Sequence, residues 1–419
     1  MRIKRETLLN YLNQNLMEET SVNPNRVFDF NDKSIGRASV VYLCDRNLRV
    51  EDNFALNFAV EKSKELNKNL KIVHRIVEYE SPLKKEFIDK QLEEVKSNFK
   101  AEGFEFVVIK NENVSDYLRN AGSLVIDFNP IRDDSFLDDF EYKIWEVDST
   151  NIIPARFISD KQEYSAATFR VKVYDLINGF LTQYPEVKSI NKNAKTQLDD
   201  FINNKLGFYN QYRNYPDKDC VSGLSKYLNW GFISAQRVVI DILKSSVSII
   251  QKEAFLEEII VRKELADNYC LYNKNYKNIN GFPSWGRVSL LKHRDDFHQY
   301  VYAESVFENA TTHDVLWNSA QTQLVKDGVI HGQLRMYWAK KILEWTRTTE
   351  DALDISVYLN DKYALDAPSP NGYVGILWSI GGLHDRPFRE SDVTGQIRRM
   401  TSKGIYTKYG AEDYIKKYS

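Results

Sequence analysis

The chain has 419 residues, 42% hydrophobic and 28% charged, with a formal net charge of -2. That length exceeds one compact core and suits two domains. The near-neutral charge excludes a nucleic-acid binder that works by global basicity, so any such surface must be a local patch.

Cys44, Cys220 and Cys270 are odd in number and form no paired motif, which excludes a disulfide scaffold and points to free thiols. There is no apolar run of bilayer-spanning length and no secretory h-region, so an intracellular protein with no membrane partner is expected.

Residues 1–36 are polar and Asn-rich, with weak helical periodicity over Leu8, Leu9, Tyr11 and Leu12, and read as an N-terminal arm. From Ala38 short runs rich in β-branched residues appear at 39–43, 71–77, 104–109 and 123–127. Helical patterns at 54–66 and Pro82–Ala101 separate them. Strands alternating with helices imply βαβ units, and near-continuous apolar runs imply parallel strands buried on both faces. Residues 37–150 are expected to form a doubly wound, Rossmann-like α/β domain. Beyond about residue 165 amphipathic helices take over, at 167–183, 234–249, 255–272, 312–326, 332–346 and 349–360. A connection over 151–199 then leads to an all-helical C-terminal domain over 200–419.

The common chemical motifs are missing. No GxGxxG follows a strand and no P-loop is present. The histidines are scattered; His293 and His298 are close in sequence, but no carboxylate pattern completes a site, so no metal is expected. No Ser or Cys nucleophile has a placed base. From Asp385 onward Arg386, Arg389, Arg398, Arg399, Lys403, Lys408, Lys416 and Lys417 outnumber the acids, a candidate basic patch. The aromatic share is 13%, which suits stacking on flat ligands or a large aromatic core.

Four stretches carry more. The first, Asp45-Arg46-Asn47-Leu48-Arg49-Val50-Glu51-Asp52-Asn53, follows the first strand; Asp52 or Asn53 can cap the next helix, and alone it reads as a capped surface loop. The second runs through Tyr209-Asn210-Gln211-Tyr212-Arg213 to Val221-Ser222-Gly223-Leu224-Ser225. Hydroxyls and free N–H groups at a helix start suit a pyrophosphate, although simple N-capping also accounts for them. The third begins at Phe255 and includes Glu258-Ile259-Ile260-Val261-Arg262. Glu258 and Arg262 are four apart and share a helix face, which allows a plain surface ion pair. The fourth holds Trp317, then Arg335-Met336-Tyr337-Trp338 and Trp345, then Asn360, Asp366, Pro370-Asn371-Gly372-Tyr373, Trp378 and His384-Asp385-Arg386. Trp338 and Trp345, seven apart, share a face and could be ordinary core.

In this order and spacing the four stretches resemble class II cyclobutane pyrimidine dimer photolyases of the photolyase/cryptochrome superfamily, from about Ser39 to the end. The resemblance implies bound FAD. Tyr209, Ser222, Gly223, Leu224 and Ser225 would surround its diphosphate, with Val221 where relatives often carry Thr, and Phe255 beside them. Arg335 and Asp366 would pair beside the isoalloxazine, Asn360 would contact the ring near N5, and Asn371 would lie close. Glu258 would face flavin and lesion and hydrogen-bond the dimer, with Arg262 near the substrate. Some photolyases carry Trp at the position of Val261. Met336 and Trp378 would line the dimer pocket, and Arg386 and Arg398 would act at the flipped-out lesion and the gap it leaves.

Trp338, Trp317 and Trp345 would relay electrons to the flavin, with Tyr302 a further member. The reaction implied is blue-light excitation of fully reduced FAD, electron transfer to a dimer flipped out of UV-damaged DNA, ring opening, and return of the electron. The resemblance implies flipping, since a dimer stacked inside a duplex cannot touch a buried flavin. A second chromophore, a deazaflavin or a folate, is open, and a monomer is expected. A cryptochrome-like photoreceptor without repair is the alternative; Glu258, Met336 and Trp378 favour repair. A flavin-free nucleotide-binding protein and a (6-4) photolyase are weaker alternatives, the latter because only His384 lies near the relevant segment.

Overall fold

The computed structural model describes residues 21–182 and 190–419. The helical reading at residues 8–12 lies outside the described residues, as does Gln183 at the end of the expected 167–183 helix. Six strands form one sheet in the order β1-β6-β5-β2-β3-β4: β1 Val27–Asp29, β2 Ser39–Leu43, β3 Leu70–Ile76, β4 Phe106–Lys110, β5 Ala121–Asp127 and β6 Ile144–Val147. All neighbours are parallel except β1 and β6, which pair antiparallel.

The sheet is covered on both faces. Val40 and Tyr42 of β2 enter one apolar cluster, Val41 and Leu43 another, as the two-residue strand period requires. The first cluster continues into the helices up to Leu265, so the two halves of the chain share a core.

The segment read as an arm is part of this sheet. Val27–Asp29 adds its antiparallel edge, and Arg26 is fully buried. Its guanidinium donates to the carbonyls of Asp148 (3.1 Å), Asn151 (2.9 Å) and Ile152 (2.7 Å), tying the segment to the crossing connection.

The loop after β2 is not a surface loop. Asn53 caps helix Phe54–Glu65 by accepting from Leu56 N, while Asp52 is forked by Arg237 at 2.8 and 2.9 Å. Asp127, ending β5, accepts the backbone N–H groups of Asp45, Arg46 and Asn47 at 3.0, 2.8 and 3.0 Å. Arg46 reaches Asp267 at 2.8 Å. Gly231, with φ of 70°, lies so close to this loop that a Cβ would sit 2.2 Å from Arg46 O; only glycine permits that approach. The stretch is therefore the joint between sheet and helices.

In the second half, helices Lys263–Tyr272, Gly332–Glu344 and Thr349–Tyr363 all pack on helix Pro370–Gly381. The expected single helix over 255–272 is three pieces: Ile249–Leu256, a π-helical turn Glu257–Arg262, and Lys263–Tyr272. Apolar spacing cannot reveal such a turn, because the residues around it remain buried on one side.

Candidate flavin and lesion site

Helix Pro370–Gly381 is the platform. Ser369 caps it by accepting from Gly372 N at 3.1 Å, and Pro370 supplies a pre-set first residue. Gly372 faces the buried amide of Asn360, where a Cβ would come 3.1 Å from Nδ2. Asn371, next to it, is exposed. Asn360 Nδ2 donates to Asp361 Oδ1 at 3.1 Å.

Arg335, on the facing helix Gly332–Glu344, forks Asp366 at 3.1 and 3.4 Å. Burial would raise the Asp366 pKa, but Arg335 and the nearby Ser225 hydroxyl outweigh it and hold the carboxyl below its usual range. Two lysines stand near. Lys84, from helix Pro82–Ala101 of the α/β half, donates to Asp361 O at 2.7 Å; burial pushes its pKa down to about 8 against the pull of Asp361 and Asp366. Lys226 is lowered by burial in the same way, with Asp327 and Asp366 opposing.

The second stretch meets this cluster through Ser225, the exposed first residue of helix Ser225–Asn229. Before it, Gly223 is exposed at φ 65°, Leu224 is buried, and Val221 and Ser222 are half-buried. Ser222 Oγ accepts from Leu224 N at 3.4 Å, and Gln197 holds the Ser222 carbonyl at 2.8 Å. Tyr209 and Phe255 pack edge to face at 5.5 Å and both are buried, so Phe255 acts as a wall behind Tyr209.

Arg213 then links this stretch to Glu258 of the third stretch. Its guanidinium carbon lies 5.6 Å from the Tyr209 ring centroid, and Nη1 holds Glu258 Oε1 at 2.7 Å. Glu258 keeps 40% of its side chain exposed. The expected Glu258–Arg262 pair does not form. Arg262 instead reaches Glu257 at 3.4 Å, and Arg170 forks Glu257 at 2.6 and 2.9 Å. The π turn explains this, since its wider winding removes the i,i+4 alignment of an α-helix. Val261 is core. His384, with φ of 59°, stacks edge-on with Tyr269; burial takes its pKa down to about 4, and the Arg262 charge adds to that.

Met336 and Trp378 are half-buried on packed helices. Lys340 lies 6.0 Å from the Trp378 ring, donates to Ser379 O at 2.8 Å, and feels the charges of Asp385 and Arg398. Arg386 and Arg398 are exposed and both lie near Phe388, their guanidinium carbons 5.6 and 5.5 Å from its ring centroid.

A file of aromatic rings runs outward from this region. Trp338 and Trp317 are parallel at 6.4 Å, Trp317 and Trp345 meet at 6.2 Å, and Trp345 and Tyr302 at 6.0 Å. Trp338, Trp317 and Trp345 are buried, whereas Tyr302 is partly exposed and hydrogen-bonded to His313 Nδ1 at 2.7 Å. Trp345 sits at the helix end rather than on its face, with φ of -116°. Two of these indole N–H groups have defined acceptors: Trp317 donates to Trp338 O at 3.0 Å and Trp338 to Gln321 Oε1 at 2.9 Å.

The donor set fits FAD. An anionic ring calls for a fixed cation and amide contacts, which Arg335 and Asn360 supply; a diphosphate calls for hydroxyls and cations, which half-buried Ser222, exposed Ser225 and Lys226 supply. A cavity of about 750 Å³ opens elsewhere, lined by His293, Phe297 and Arg347 but not by Arg335, Asn360, Ser222, Ser225 or Lys226. Lys84 and Arg213 had no assigned role in the sequence. Arg213 sits inside a recognised stretch and could have been noticed; Lys84 lies in the other half of the chain, with no local signal.

The fold is that of the photolyases: a bacterial class III photolyase from Agrobacterium tumefaciens superposes with a TM-score of 0.68 at 17% identity, covering 93% of this chain and 88% of that one. No family model matches the chain. It is 34% identical to the deoxyribodipyrimidine photo-lyase of Arabidopsis thaliana, over 92% of this chain and 89% of that protein. It is 31% identical to that of Methanothermobacter thermautotrophicus (90% and 93%) and 37% identical to that of Potorous tridactylus (71% and 64%), so it spans just under two thirds of the last. The chain belongs to the deoxyribodipyrimidine photo-lyase family.

Proposed function

We propose that the protein repairs cyclobutane pyrimidine dimers in DNA by a light-driven, class II-type reaction that uses reduced FAD. The observation that supports this most is the Arg335–Asp366 fork, joined by the buried Asn360 and by a part-exposed Glu258 carboxylate held by Arg213. Reduced FAD, when bound, supplies on illumination the electron that opens the dimer.

The chain's own residues do the rest. Arg335 presents a fixed positive charge that favours an anionic ring, and Asp366 keeps its fork oriented. Glu258 accepts or shares hydrogen bonds with the dimer bases and steadies the charge that develops on them. Met336 and Trp378 form the half-buried apolar wall against which a dimer packs. Arg386 and Arg398 hold phosphates or fill the emptied stack, with salt-sensitive affinity. Extruding the dimer costs roughly a few kcal/mol, less at a damaged and poorly paired site. Trp338, Trp317, Trp345 and Tyr302 carry electrons inward from the surface. The free thiols support an intracellular place of action.

Irradiated oligothymidylate tests the reading. Blue light, but not darkness, should restore thymine monomers. Flavin-loaded protein that restores none would favour a photoreceptor.

A further inference from the structure

Away from these residues, the turn after helix Ser284–Lys292 places His293 between two carboxylates. Its Nδ1 lies 2.6 Å from Asp296 Oδ2 and its Nε2 lies 2.9 Å from Glu390 Oε1. A neutral imidazole has one N–H and one lone pair, and a carboxylate offers only lone pairs. Both contacts can be hydrogen bonds together only when both ring nitrogens carry protons.

Each carboxylate has a second task. Asp296 Oδ2 also accepts from Val393 N at 2.9 Å, and Glu390 Oε1 also takes the Lys292 ammonium at 2.7 Å. Glu390 and Val393 both belong to a hairpin over residues 388–396, closed by Phe388 N on Gln396 O (2.9 Å) and Ser391 N on Gly395 O (3.0 Å). Gln396 N donates to Ser289 Oγ at 2.8 Å. Gly395, with φ of 52°, lies flush on the helix: a Cβ would stand 2.3 Å from Ser289 Oγ and 3.2 Å from His293 Cδ2. The base of the same hairpin carries Phe388, with the Arg386 and Arg398 guanidinium groups both near its ring.

We propose that His293, as an imidazolium, is a positioning residue that clamps the 388–396 hairpin and so fixes the Arg386–Phe388–Arg398 stack for damaged DNA. The DNA part rests on the repair reading above. Nothing in that reading requires the clamp.

The surroundings agree with the geometry. Hydrogen bonding to Glu390, then to Asp296, raises the His293 pKa, and the Asp296 and Glu390 carboxyls are lowered, so the shared proton belongs on the ring. The other charged groups nearby are Lys292, which shares Glu390; Arg294 and Asp295, 3.9 Å from each other; His298, bonded to Glu344 O; and Arg347 and Glu350 across the groove. A raised histidine contributes fully below about pH 6.5, its ordinary value, and less as pH climbs through the raised one. The lowered carboxylates lose their contribution only in acid, below about pH 4. The clamp therefore holds in mild acid and slackens as pH rises through the raised histidine value.

The test is amide hydrogen exchange of residues 388–396 in the DNA-free holoenzyme, corrected for the intrinsic rate. Dark binding of dimer-containing duplex is measured beside it. Wild-type protection should fall about fivefold from mildly acidic to alkaline pH. His293→Gln, whose single amide nitrogen cannot replace two opposed ring N–H groups, should show the low value throughout. Glu390→Gln lets a neutral ring accept from the new amide, so protection should persist in alkali. Damaged-duplex affinity should follow protection in all three proteins. A wild-type protection that ignores pH, or the same fall in His293→Gln, overturns the clamp. Protection that behaves as stated, in a protein with no preference for damaged duplex at any pH, overturns the repair reading and the hairpin's role in it.

Discussion

Trp317 and Trp338 stack with their planes 6° apart, and the indole N–H of Trp317 donates to the backbone carbonyl of Trp338. One residue thus both touches the next ring and pins the helix that carries it. Trp345 and Tyr302 extend the file to the partly exposed edge.

Replacing Trp317 by Phe should separate two functions. An aromatic ring remains but the indole N–H bond is lost, so the fold should lose only about 1–3 kcal/mol. Photoreduction of bound flavin by an external thiol, followed by bleaching under blue light, should nearly vanish. Repair by chemically reduced enzyme should remain.

Glu258→Gln keeps the shape but removes the charge that Arg213 holds at 2.7 Å. Light-driven dimer opening should fall about tenfold, the scale of a lost charge-assisted hydrogen bond. Dark affinity for damaged DNA should hardly change. Counting dimers opened per absorbed photon, alongside a binding titration, checks both halves.

Asp366→Asn removes the partner of Arg335 and should destabilise the fold by about 1–3 kcal/mol in neutral denaturant melts. The native Asp366 pKa lies below its ordinary value, so the wild-type contribution is complete above about pH 4 and is lost as pH falls through the lowered value. The acid limb of the stability curve should therefore be shallower in the variant.

Glu264 is fully buried in the joint between sheet and helices, with one oxygen 2.6 Å from Ile152 N and the other without a partner. Burial pushes its pKa up to about 8, against the opposing pull of Lys263 and the Ile152 N–H. Here the native state binds the extra proton, so stability should drop by about 2–4 kcal/mol as pH rises from its ordinary value, near 4.3, to about 8. Glu264→Gln should flatten that slope in melts across this range.

What the sequence disclosed follows from burial. Strands β2 to β5 are runs of β-branched residues covered on both faces, and such runs stand out. β1 and β6 are three and four residues long, and Glu146 and Asp29 interrupt their apolar character, so neither stood out. Arg335 meets Asp366, and the three tryptophans and Tyr302 form one file, all residues that the sequence had singled out. The Arg213–Glu258 pair did not show, because a π turn redirects side chains without changing which residues are apolar. Lys84 was silent for a different reason: its partners, Asp361 and Asp366, belong to the other half of the fold.

The most direct test is a crystal structure of the flavin-loaded protein with duplex DNA that contains a single thymine dimer. The ring should lie beside the Arg335–Asp366 fork and Asn360, with the dimer out of the stack and within hydrogen-bond reach of Glu258. A flavin bound elsewhere, or a dimer left in the helix while Glu258 stays turned to Arg213, would contradict the account.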